Sequence, residues 1–257
     1  MIVLTNIKKS FGEKQVLQGV TFNIQLGETL AIIGKSGSGK SVLFKLIVGL
    51  LTPDEGSISI EDKRIDEMTS DELYAVRRSI GYVFQNAALL DSMNVYENLI
   101  LGQYEHGLRD EVKLKNEVIE NLCNVGLLPD INSLSDVEFQ KQYSLIATKK
   151  PSELSGGMRK RVGVARALMG SPKFIFYDEP TTGLDPQTSE QIDNLINELS
   201  HRLSETSILI THDIFSVYKV AERVIMLNDG HIQFNGSVAE LTTSTDPIVK
   251  DFIERYN

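Results

Sequence analysis

A glycine-rich segment of eight residues constrains the fold of this chain more than any other feature. It runs from Gly34 to Ser41 and satisfies the pattern G-x-x-x-x-G-K-[ST]. The apolar run Thr29–Ile33 before it predicts a strand, and the stretch Val42–Leu51 after it predicts a helix. A strand, a tight loop and a helix in this order predict a phosphate-binding loop in an α/β fold.

The residue types of this loop fit the chemistry of a bound polyphosphate. Glycines let backbone N–H groups turn toward phosphates, and the helix N-terminus adds positive potential. We expect Lys40 to bridge the outer phosphates and Ser41 to hold Mg²⁺. A linker between strand and helix is the alternative, but a linker has no need of Lys and Ser at this register. The candidate nucleotide-binding residues here are Gly34, Lys35, Ser36, Gly37, Ser38, Gly39, Lys40, Ser41 and Val42.

An apolar strand that ends in two carboxylates lies in the second half of the chain. Phe174–Tyr177 is followed directly by Asp178 and Glu179. The end of such a strand suits an Mg²⁺-orienting Asp and a Glu that activates water. By itself the pattern is equally typical of a buried strand with an exposed acidic turn. Its coincidence with the phosphate loop favours the functional interpretation.

A serine and two glycines precede another predicted helix. Ser155, Gly156 and Gly157 stand at the start of a helix expected to run to Gly170. The unpaired N–H groups of such a helix start could receive an anion. A serine N-cap with flexible glycines explains the same residues in purely structural terms. The other two motifs favour the anion site.

The remaining pattern predicts short strands, then a helical region, then alternating strands and helices, which implies a parallel sheet. Ser70 with Glu72 indicates the start of a helix, Asp229-Gly230 indicates a hairpin, and residues 129–150 are interpreted as a loop or short-helix insertion. The expected strands are Ile2–Ile7, Val16–Ile24, Thr29–Ile33, Ser57–Ile60, Ile80–Phe84, Phe174–Tyr177, Ser207–Thr211, Arg223–Leu227 and Ile232–Phe234. The expected later helices are Gln187–Leu203 and Ser216–Ala221.

Composition narrows the function classes. A formal net charge of −9 disfavours nucleic acid as a partner. The only cysteine, Cys123, cannot form an internal disulfide, so a reducing compartment fits best. The N-terminus lacks a secretory leader pattern, and no apolar run approaches the roughly 20 residues that cross a bilayer. We therefore expect any membrane role to come through a partner.

The order of these motifs resembles the ABC ATPase family over essentially the whole chain. The phosphate loop is followed by Gln85, then by Leu-Ser-Gly-Gly, then by Asp178-Glu179, and then by His212. The resemblance implies an α/β P-loop (RecA-like) fold, with a mostly parallel sheet, an N-terminal antiparallel β subdomain and an inserted α-helical subdomain. It also implies a nucleotide-binding core over 1–86 and 161–257 and a helical subdomain over 87–160, all within a single ATPase domain over 1–257.

The resemblance also implies roles for individual residues. Glu179 would be the general base, with His212 positioning water and γ-phosphate. Gln85 would contact Mg²⁺ together with Ser41 and Asp178. The implied nucleotide contacts outside the phosphate loop are Phe11 on the adenine, Ser155, Gly156 and Gly157 from a second copy of the chain, and Asp185 in cross-subunit signalling. Without the family, Gln85 is an ordinary polar loop residue, His212 is structural, and Phe11 packs in the antiparallel sheet.

Three further segments resemble the Mla-type lipid ABC ATPases, which serve phospholipid transport in bacteria. They are Ala87–Val95, Gly157–Val162 and Asp246–Phe252. This resemblance implies ATP hydrolysis that powers phospholipid transport through a separate membrane permease, at the cytoplasmic face of the inner membrane. A homodimer is implied, and a periplasmic lipid-binding subunit and a small regulatory subunit are further candidate partners.

Other functions stay open from the sequence. An ATPase subunit that imports amino acids or other small solutes is the nearest alternative. ABC ATPases that act on DNA or ribosomes usually carry two cassettes or a long coiled-coil insertion, and this chain shows neither pattern. A nucleotide switch without hydrolysis is disfavoured by Glu179 and His212.

Overall fold

The computed structural model describes residues 1–203 and 205–256. They divide into two compact units, each described here by itself. One unit holds the residues up to Ser79 and the described residues from Ser200 onward, and the other holds Ile80–Leu199. The subdomain boundaries predicted from the sequence stay a prediction.

The elements follow one another in the order that the sequence pattern indicates. The strands are β1 (Ile2–Phe11), β2 (Lys14–Ile24), β3 (Thr29–Ile33), β4 (Glu55–Ile60), β5 (Lys63–Arg64), β6 (Ile80–Val83), β7 (Phe174–Asp178), β8 (Thr206–Ile210), β9 (Arg223–Asn228) and β10 (His231–Ser237). The α-helices are α1 (Lys40–Ile47), α2 (Ser70–Arg78), α3 (Val95–Glu105), α4 (Glu111–Asn124), α5 (Asp136–Ala147), α6 (Gly156–Leu168), α7 (Pro186–Leu203), α8 (Ile214–Val220), α9 (Val238–Thr242) and α10 (Pro247–Tyr256).

The first unit contains an antiparallel sheet built from the N-terminal strands, in the order β2-β1-β4-β5. The sequence predicts shorter first strands, Ile2–Ile7 and Val16–Ile24. The structure continues their pairing to Phe11 opposite Lys14, because the two strands form one hairpin closed by a tight turn. Apolar side chains on one face of this sheet are buried, as period-2 alternation requires.

A parallel sheet lies in the same unit, with β3 between β8 and β9. Every residue of β3 and of β8 is buried, as expected for strands covered on both faces. The antiparallel β10 joins β9 through a loop of Asp229 and Gly230, whose φ angles are 45° and 76°. Two positive φ angles define the type I′ hairpin that the Asp-Gly pair predicts.

Local capping explains where the helices begin and end, and α2 spans Ser70–Arg78 as the sequence predicts. Thr69, rather than Ser70, is the N-cap of α2, because its side chain accepts from the Glu72 N–H and Glu72 accepts from the Thr69 N–H. The helix predicted over Val42–Leu51 ends at Ile47, before a glycine in the left-handed region.

The second unit carries β6 and β7 as a parallel pair, together with α3 to α6. The polar stretch 129–150, interpreted as a loop or short helix, contains the 12-residue helix α5. A capping box between Ser135 and Glu138 starts this helix, and Phe139, Tyr143 and Ile146 are buried on one face. Within the described parts of the chain, no helix has the length and apolar character needed to cross a bilayer.

These elements confirm the predicted fold class: an α/β architecture with parallel strand pairing and an N-terminal antiparallel sheet. The carboxyl ends of β3, β6, β7 and β8 each lead into a segment that carries predicted site residues. This placement follows the general rule that ligands of parallel α/β sheets bind at the carboxyl ends of the strands.

Candidate functional site

The positions occupied by glycine in the phosphate loop are explained by two different structural constraints. A Cβ on Gly34 would collide with the Leu227 carbonyl oxygen, and a Cβ on Gly39 would lie 2.7 Å from Leu17 Cδ2. The backbone clash excludes a side chain at Gly34, whereas at Gly39 the φ of 106° favours glycine and the Leu17 side chain could shift. Gly37 also has a positive φ, of 81°, but nothing lies within 4 Å of its Cβ position. Gly37 is thus the loop glycine at which a ligand has room to approach the backbone.

The start of α1 is prepared for an anion. It has no side-chain cap and no acidic residue in its first turn, so the N–H groups there retain their positive potential. Lys40 Nζ donates to the carbonyl oxygens of Gly34, at 2.5 Å, and Lys35, at 3.2 Å, and so lies across the loop. The buried Ser38 Oγ has no hydrogen-bond partner among the described residues. This set fits a bound phosphate group.

The other loop residues differ in exposure. Ser36 and Ser41 are exposed, Lys35 and Val42 are half-buried, and Gly39 is buried. Ser41 lies in the first turn of α1, where its hydroxyl can reach a ligand from the solvent side. The structure therefore presents two of the three serines of the loop, Ser36 and Ser41, at its accessible side, whereas Ser38 is buried.

His212 follows β8 and is exposed. Its ring meets the ring of Tyr256 on α10 edge to face, with centroids 5.6 Å apart, and Tyr256 in turn packs on Phe252. The same helix provides Asp251, whose carboxylate lies 3.4 Å from Lys35 Nζ. That ion pair is half-exposed on both sides, so its contribution to stability is small. The helix α10 thus contacts both a phosphate-loop lysine and the candidate histidine.

Phe11 lies at the end of β1 with 49% of its surface exposed. Lys9 Nζ is 5.6 Å from the centre of its ring, a modest cation–π contact. Core packing in the antiparallel sheet, the structural alternative for this residue, does not agree with this exposure. An exposed aromatic face remains available for a base.

The acidic pair follows β7 in the second unit. Tyr82 donates a hydrogen bond of 2.6 Å to Asp178 Oδ2, and Thr182 Oγ1 donates to Glu179 Oε2 at 2.9 Å. Glu179 has a φ of 50°, a left-handed conformation that is costly for a residue with a side chain. Such strain persists only where the surroundings enforce it, and it is concentrated at functional sites.

Two neighbouring groups show that the environment of the acidic pair is partly buried. The pKa of Tyr82 is raised strongly, chiefly by burial and further by its hydrogen bond to Asp178 and that group's charge. The phenol is therefore a hydrogen-bond donor at any physiological pH. Burial lowers the pKa of Lys160, while the charge of Glu179 acts in the opposite direction. Lys160 is accordingly a buried cation within the electrostatic reach of Glu179.

The Gln85 segment is held against α6 through its backbone. The side chain of Gln85 is exposed, but its carbonyl oxygen accepts from Lys160 Nζ. Ala87 and Ala88 both have positive φ angles, of 58° and 46°. Arg166 donates to the carbonyl oxygens of both residues, at 2.6 and 2.7 Å. Lys160, which is buried, and Arg166, which is half-buried, thus hold a strained turn in place.

Replacing Arg166 with Met should loosen this turn. A hydrogen bond from a charged donor contributes about 1.5–3 kcal/mol, so we expect a loss of about 2 kcal/mol, or about 30-fold faster local opening. Amide hydrogen exchange over Gln85–Leu90 measures this directly. Lys113→Met is the matched control, since that side chain is 74% exposed on α4. Unchanged exchange in the Arg166 variant would mean that packing alone holds the turn.

Ser155 caps the start of α6, and the predicted anion-binding role of this helix start stays a prediction. Ser155 is the N-cap, and its Oγ accepts from the Met158 N–H at 3.2 Å. The first turn contains no acidic residue. A Cβ on Gly157 would lie 2.9 Å from Thr188 Cγ2, whereas Gly156 has more room. The helix start is therefore electropositive and closely packed on one side only.

Asp185 precedes α7 and caps it. The Thr188 Oγ1 donates to Asp185 Oδ2 at 2.6 Å, and the Thr188 N–H donates to Oδ1 at 3.0 Å. The hydroxyl bond, followed by the N–H bond, lowers the pKa of Asp185. Thr188 thus lies next to both Asp185 and Gly157, and it brings these two predicted site residues into one neighbourhood.

Comparison with known proteins identifies the class. The ABC transporter family model matches residues 17–182. Protein TRIGALACTOSYLDIACYLGLYCEROL 3, chloroplastic, of Arabidopsis thaliana is 38% identical, over 98% of this chain and 73% of that protein. The probable ribonucleotide transport ATP-binding protein mkl of Mycobacterium tuberculosis is 37% identical, over 98% of this chain and 66% of that protein. The methionine import ATP-binding protein MetN of Campylobacter jejuni is 34% identical, over 98% of this chain and 75% of that protein.

Solved structures agree with these relatives. The dimeric post-hydrolysis state of the ATP-binding cassette MJ0796, bound to ADP and Pi, is 33% identical, with a TM-score of 0.77 over 93% of this chain and 99% of that one. CbiO1 of Clostridium perfringens, part of the ABC transporter complex cbiONQ, is 29% identical, with a TM-score of 0.81 over 98% and 94%.

The chain belongs to the ABC transporter family and is an ATP-binding cassette of the ATPase class. Its relatives include proteins named for a galactolipid and for ribonucleotide transport, consistent with an Mla-like group. The chain spans between 66% and 75% of the length of the three relatives named above.

Sequence reasoning missed several groups that contact the predicted site residues. Tyr82 and Arg166 bond to Asp178 and to the turn after Gln85, and Tyr256 lies against His212. The alternation of side chains along β6 could have indicated that Tyr82 lies on the same face of the sheet as Asp178 at the end of β7. The aromatic pair Phe252 and Tyr256, spaced i,i+4, could have marked a helix face.

Proposed function

We propose that this chain hydrolyses ATP with the residues that its motifs place at the ends of the strands. Lys40 binds the outer phosphates, which the uncapped start of α1 also attracts. Glu179 accepts the proton of the attacking water, and His212 orients that water and the γ-phosphate. Phe11 stacks on the adenine with its exposed ring. The carrying observation for catalysis is the strained, hydrogen-bonded Glu179 directly after Asp178.

Ser41, Gln85 and Asp178 would hold Mg²⁺ when it is bound with ATP. Hydroxyl, amide and carboxylate oxygens are the ligands that Mg²⁺ prefers, so the donor chemistry fits. No group of three His, Cys, Asp or Glu residues in 1–203 and 205–256 could hold a metal by itself. The bound ion would neutralise phosphate charge.

The second half of each nucleotide site is proposed to come from another copy of the chain. Ser155, Gly156 and Gly157 of one copy would contact the ATP bound by the other copy, and Asp185 would signal between them. The absence of acidic residues from the first turn of α6 supports anion binding there. The MJ0796 relative is a dimer in its post-hydrolysis state, which supports a homodimer here.

The dimer is proposed to bind a separate membrane permease at the cytoplasmic face of the membrane and to power transport through it. Membership of the ABC transporter family supports this partner, and CbiO1 is part of a transporter complex. A periplasmic lipid-binding subunit and a small regulatory subunit are proposed as additional members. The ATPase would sit at the membrane only through the permease.

The proposed cargo is a phospholipid. The observation that supports it is that a relative named for a galactolipid is 38% identical over 98% of this chain. The segments Gly157–Val162 and Asp246–Phe252, which resemble Mla-type ATPases, point in the same direction. Import of an amino acid is the second candidate, since MetN is 34% identical over the same share of the chain.

Reconstitution tests the cargo. The complex of this chain with its permease should move labelled phospholipid between vesicles in the presence of ATP, whereas a complex with Glu179→Gln should not. The Glu179 variant binds ATP but cannot turn over repeatedly, so only coupled transport distinguishes the two. Glu198→Gln, an exposed exchange on α7, should behave as the unaltered complex does.

Two results separate the candidates, and a third checks the preparation. Equal lipid transfer by the Glu179 variant would defeat the claim of coupled transport. ATPase stimulation by methionine with a binding protein, without lipid movement, would support the importer instead. Loss of transfer in the Glu198 variant would show a general defect of the preparation.

A further inference from the structure

A tyrosine on the strand next to the acidic pair contacts the proposed metal ligand. The Tyr82 hydroxyl donates to Asp178 Oδ2 at 2.6 Å, a distance typical of hydrogen bonds from a hydroxyl to a carboxylate. The strands β6 and β7 are parallel, with Tyr82 opposite Phe176 and Val83 opposite Tyr177. The tyrosine side chain therefore extends along the sheet from β6 to the carboxyl end of β7.

The ring that carries this hydroxyl is held by packing. Tyr82 is half-buried, and the ring of Phe84 meets it edge to face with centroids 4.4 Å apart. Arg166 lies 5.7 Å from the Phe84 ring centre, beyond which it anchors the turn after Gln85. The contact with Phe84 limits rotation of the Tyr82 ring, so its hydrogen bond can restrict the orientation of the carboxylate.

We propose that Tyr82 is a positioning residue for Asp178, which it orients before any metal binds. The bond engages Oδ2, fixes the plane of the carboxylate and thereby sets the direction of Oδ1. This inference rests on the proposed role of Asp178 in holding Mg²⁺. It adds a second group to that role, one that no ABC motif in this sequence contains.

The phenol has two opposing effects on the affinity of Asp178 for a metal ion. The hydrogen bond withdraws charge from the carboxylate, which weakens its attraction for a cation. It also removes the rotational freedom that the carboxylate would otherwise lose on binding, and an outer partner of a metal ligand typically contributes about 10–100-fold to metal affinity. We expect the gain in orientation to exceed the loss of charge, because one neutral donor on Oδ2 leaves Oδ1 open to a cation. Removing the hydroxyl should weaken metal binding.

The first experiment tests the hydrogen bond without any metal. Ultraviolet resonance Raman spectra of the metal-free protein should show one tyrosine that acts as a strong donor. That signal should disappear in Tyr82→Phe and change in Asp178→Asn. Tyr143→Phe, which alters a buried tyrosine on α5, should leave the strong-donor signal in place. A donor signal that survives in Tyr82→Phe would overturn the proposal.

The second experiment measures the metal dependence of nucleotide binding in a Glu179→Gln background, so that hydrolysis does not interfere. Tyr82→Phe should raise the Mg²⁺ concentration for half-maximal ATP binding by about 10-fold. Binding of ATP in excess chelator should stay unchanged, because Lys40 and the phosphate loop are intact. If Tyr82 had only a structural role, its replacement would weaken ATP binding with Mg²⁺ and in excess chelator alike, and that result would overturn the proposal. An unchanged or lower Mg²⁺ requirement would overturn it too.

Asp178→Asn separates this inference from the proposed function. A raised Mg²⁺ requirement in Asp178→Asn, with none in Tyr82→Phe, would refute only the role of Tyr82. An unchanged requirement in Asp178→Asn would refute the metal role of Asp178 itself. Tyr143→Phe should bind Mg²⁺ and ATP as the parent does, and circular dichroism on all variants confirms that each is folded.

Discussion

Exchange of Glu179 for Gln should lower ATP turnover by about 100-fold or more, the usual contribution of a positioned general base. Gln keeps the size and shape of the side chain and can still accept from Thr182, so the left-handed turn at Glu179 should survive. The amide cannot accept a proton from water. Binding of ATP depends on the phosphate loop and should remain.

The trapped state gives this prediction a second measurement. ATP that binds but is not hydrolysed should hold two copies together, so sizing in Mg-ATP should show dimers for the Glu179 variant and mostly monomers for the unaltered chain. Glu198→Gln should retain full turnover, since that residue is exposed on α7. If the Glu179 variant stays monomeric even with its permease partner supplied, the dimeric site assignment is wrong.

Exchange of Lys40 for Ala should weaken ATP binding by about 100-fold, because each charge-assisted bond to a phosphate contributes about 1.5–3 kcal/mol. In the structure Lys40 Nζ bonds to the carbonyl oxygens of Gly34 and Lys35. Lys40 itself is half-buried and is not part of the apolar core, so the fold should change little. Isothermal titration with ATP and circular dichroism measure the two effects separately.

Lys45 supplies the matched control on the same helix. Its side chain is exposed in the last turn of α1, away from the phosphate loop. Lys45→Ala should therefore bind ATP normally. Normal ATP turnover in a folded Lys40→Ala variant would contradict the assignment of the phosphate loop.

Features that depend on short-range chemistry could be predicted well. The strand before the phosphate loop was predicted over Thr29–Ile33 and is found there, because a continuous buried run between turn signals has no competing local structure. The Asp229-Gly230 hairpin is equally local, since only residues that accept positive φ form a type I′ loop. The roles of the predicted catalytic residues stay predictions.

Some helix ends and the polar stretch 129–150 could not be predicted correctly from the sequence pattern alone. Both Thr69 and Ser70 can cap a helix, and only the position of Glu72 relative to the helix start decides between them. The stretch 129–150 lacks an evident apolar period because α5 buries only one narrow face, while Val137 and Leu145 on the same helix are exposed. The capping box at Ser135 was present in the sequence and would have indicated the helix.

The sequence by itself determined the phosphate loop, the acidic pair and the order of the motifs, because each of these is a run of neighbouring residues whose chemistry is local. Only the tertiary structure decided what surrounds them. Tyr82 reaches Asp178 across 96 positions of sequence, and Arg166 reaches Ala87 across 79. Such contacts depend on strand register and on helix packing, and these are set by the burial of the whole core rather than by the residues on either side of a motif.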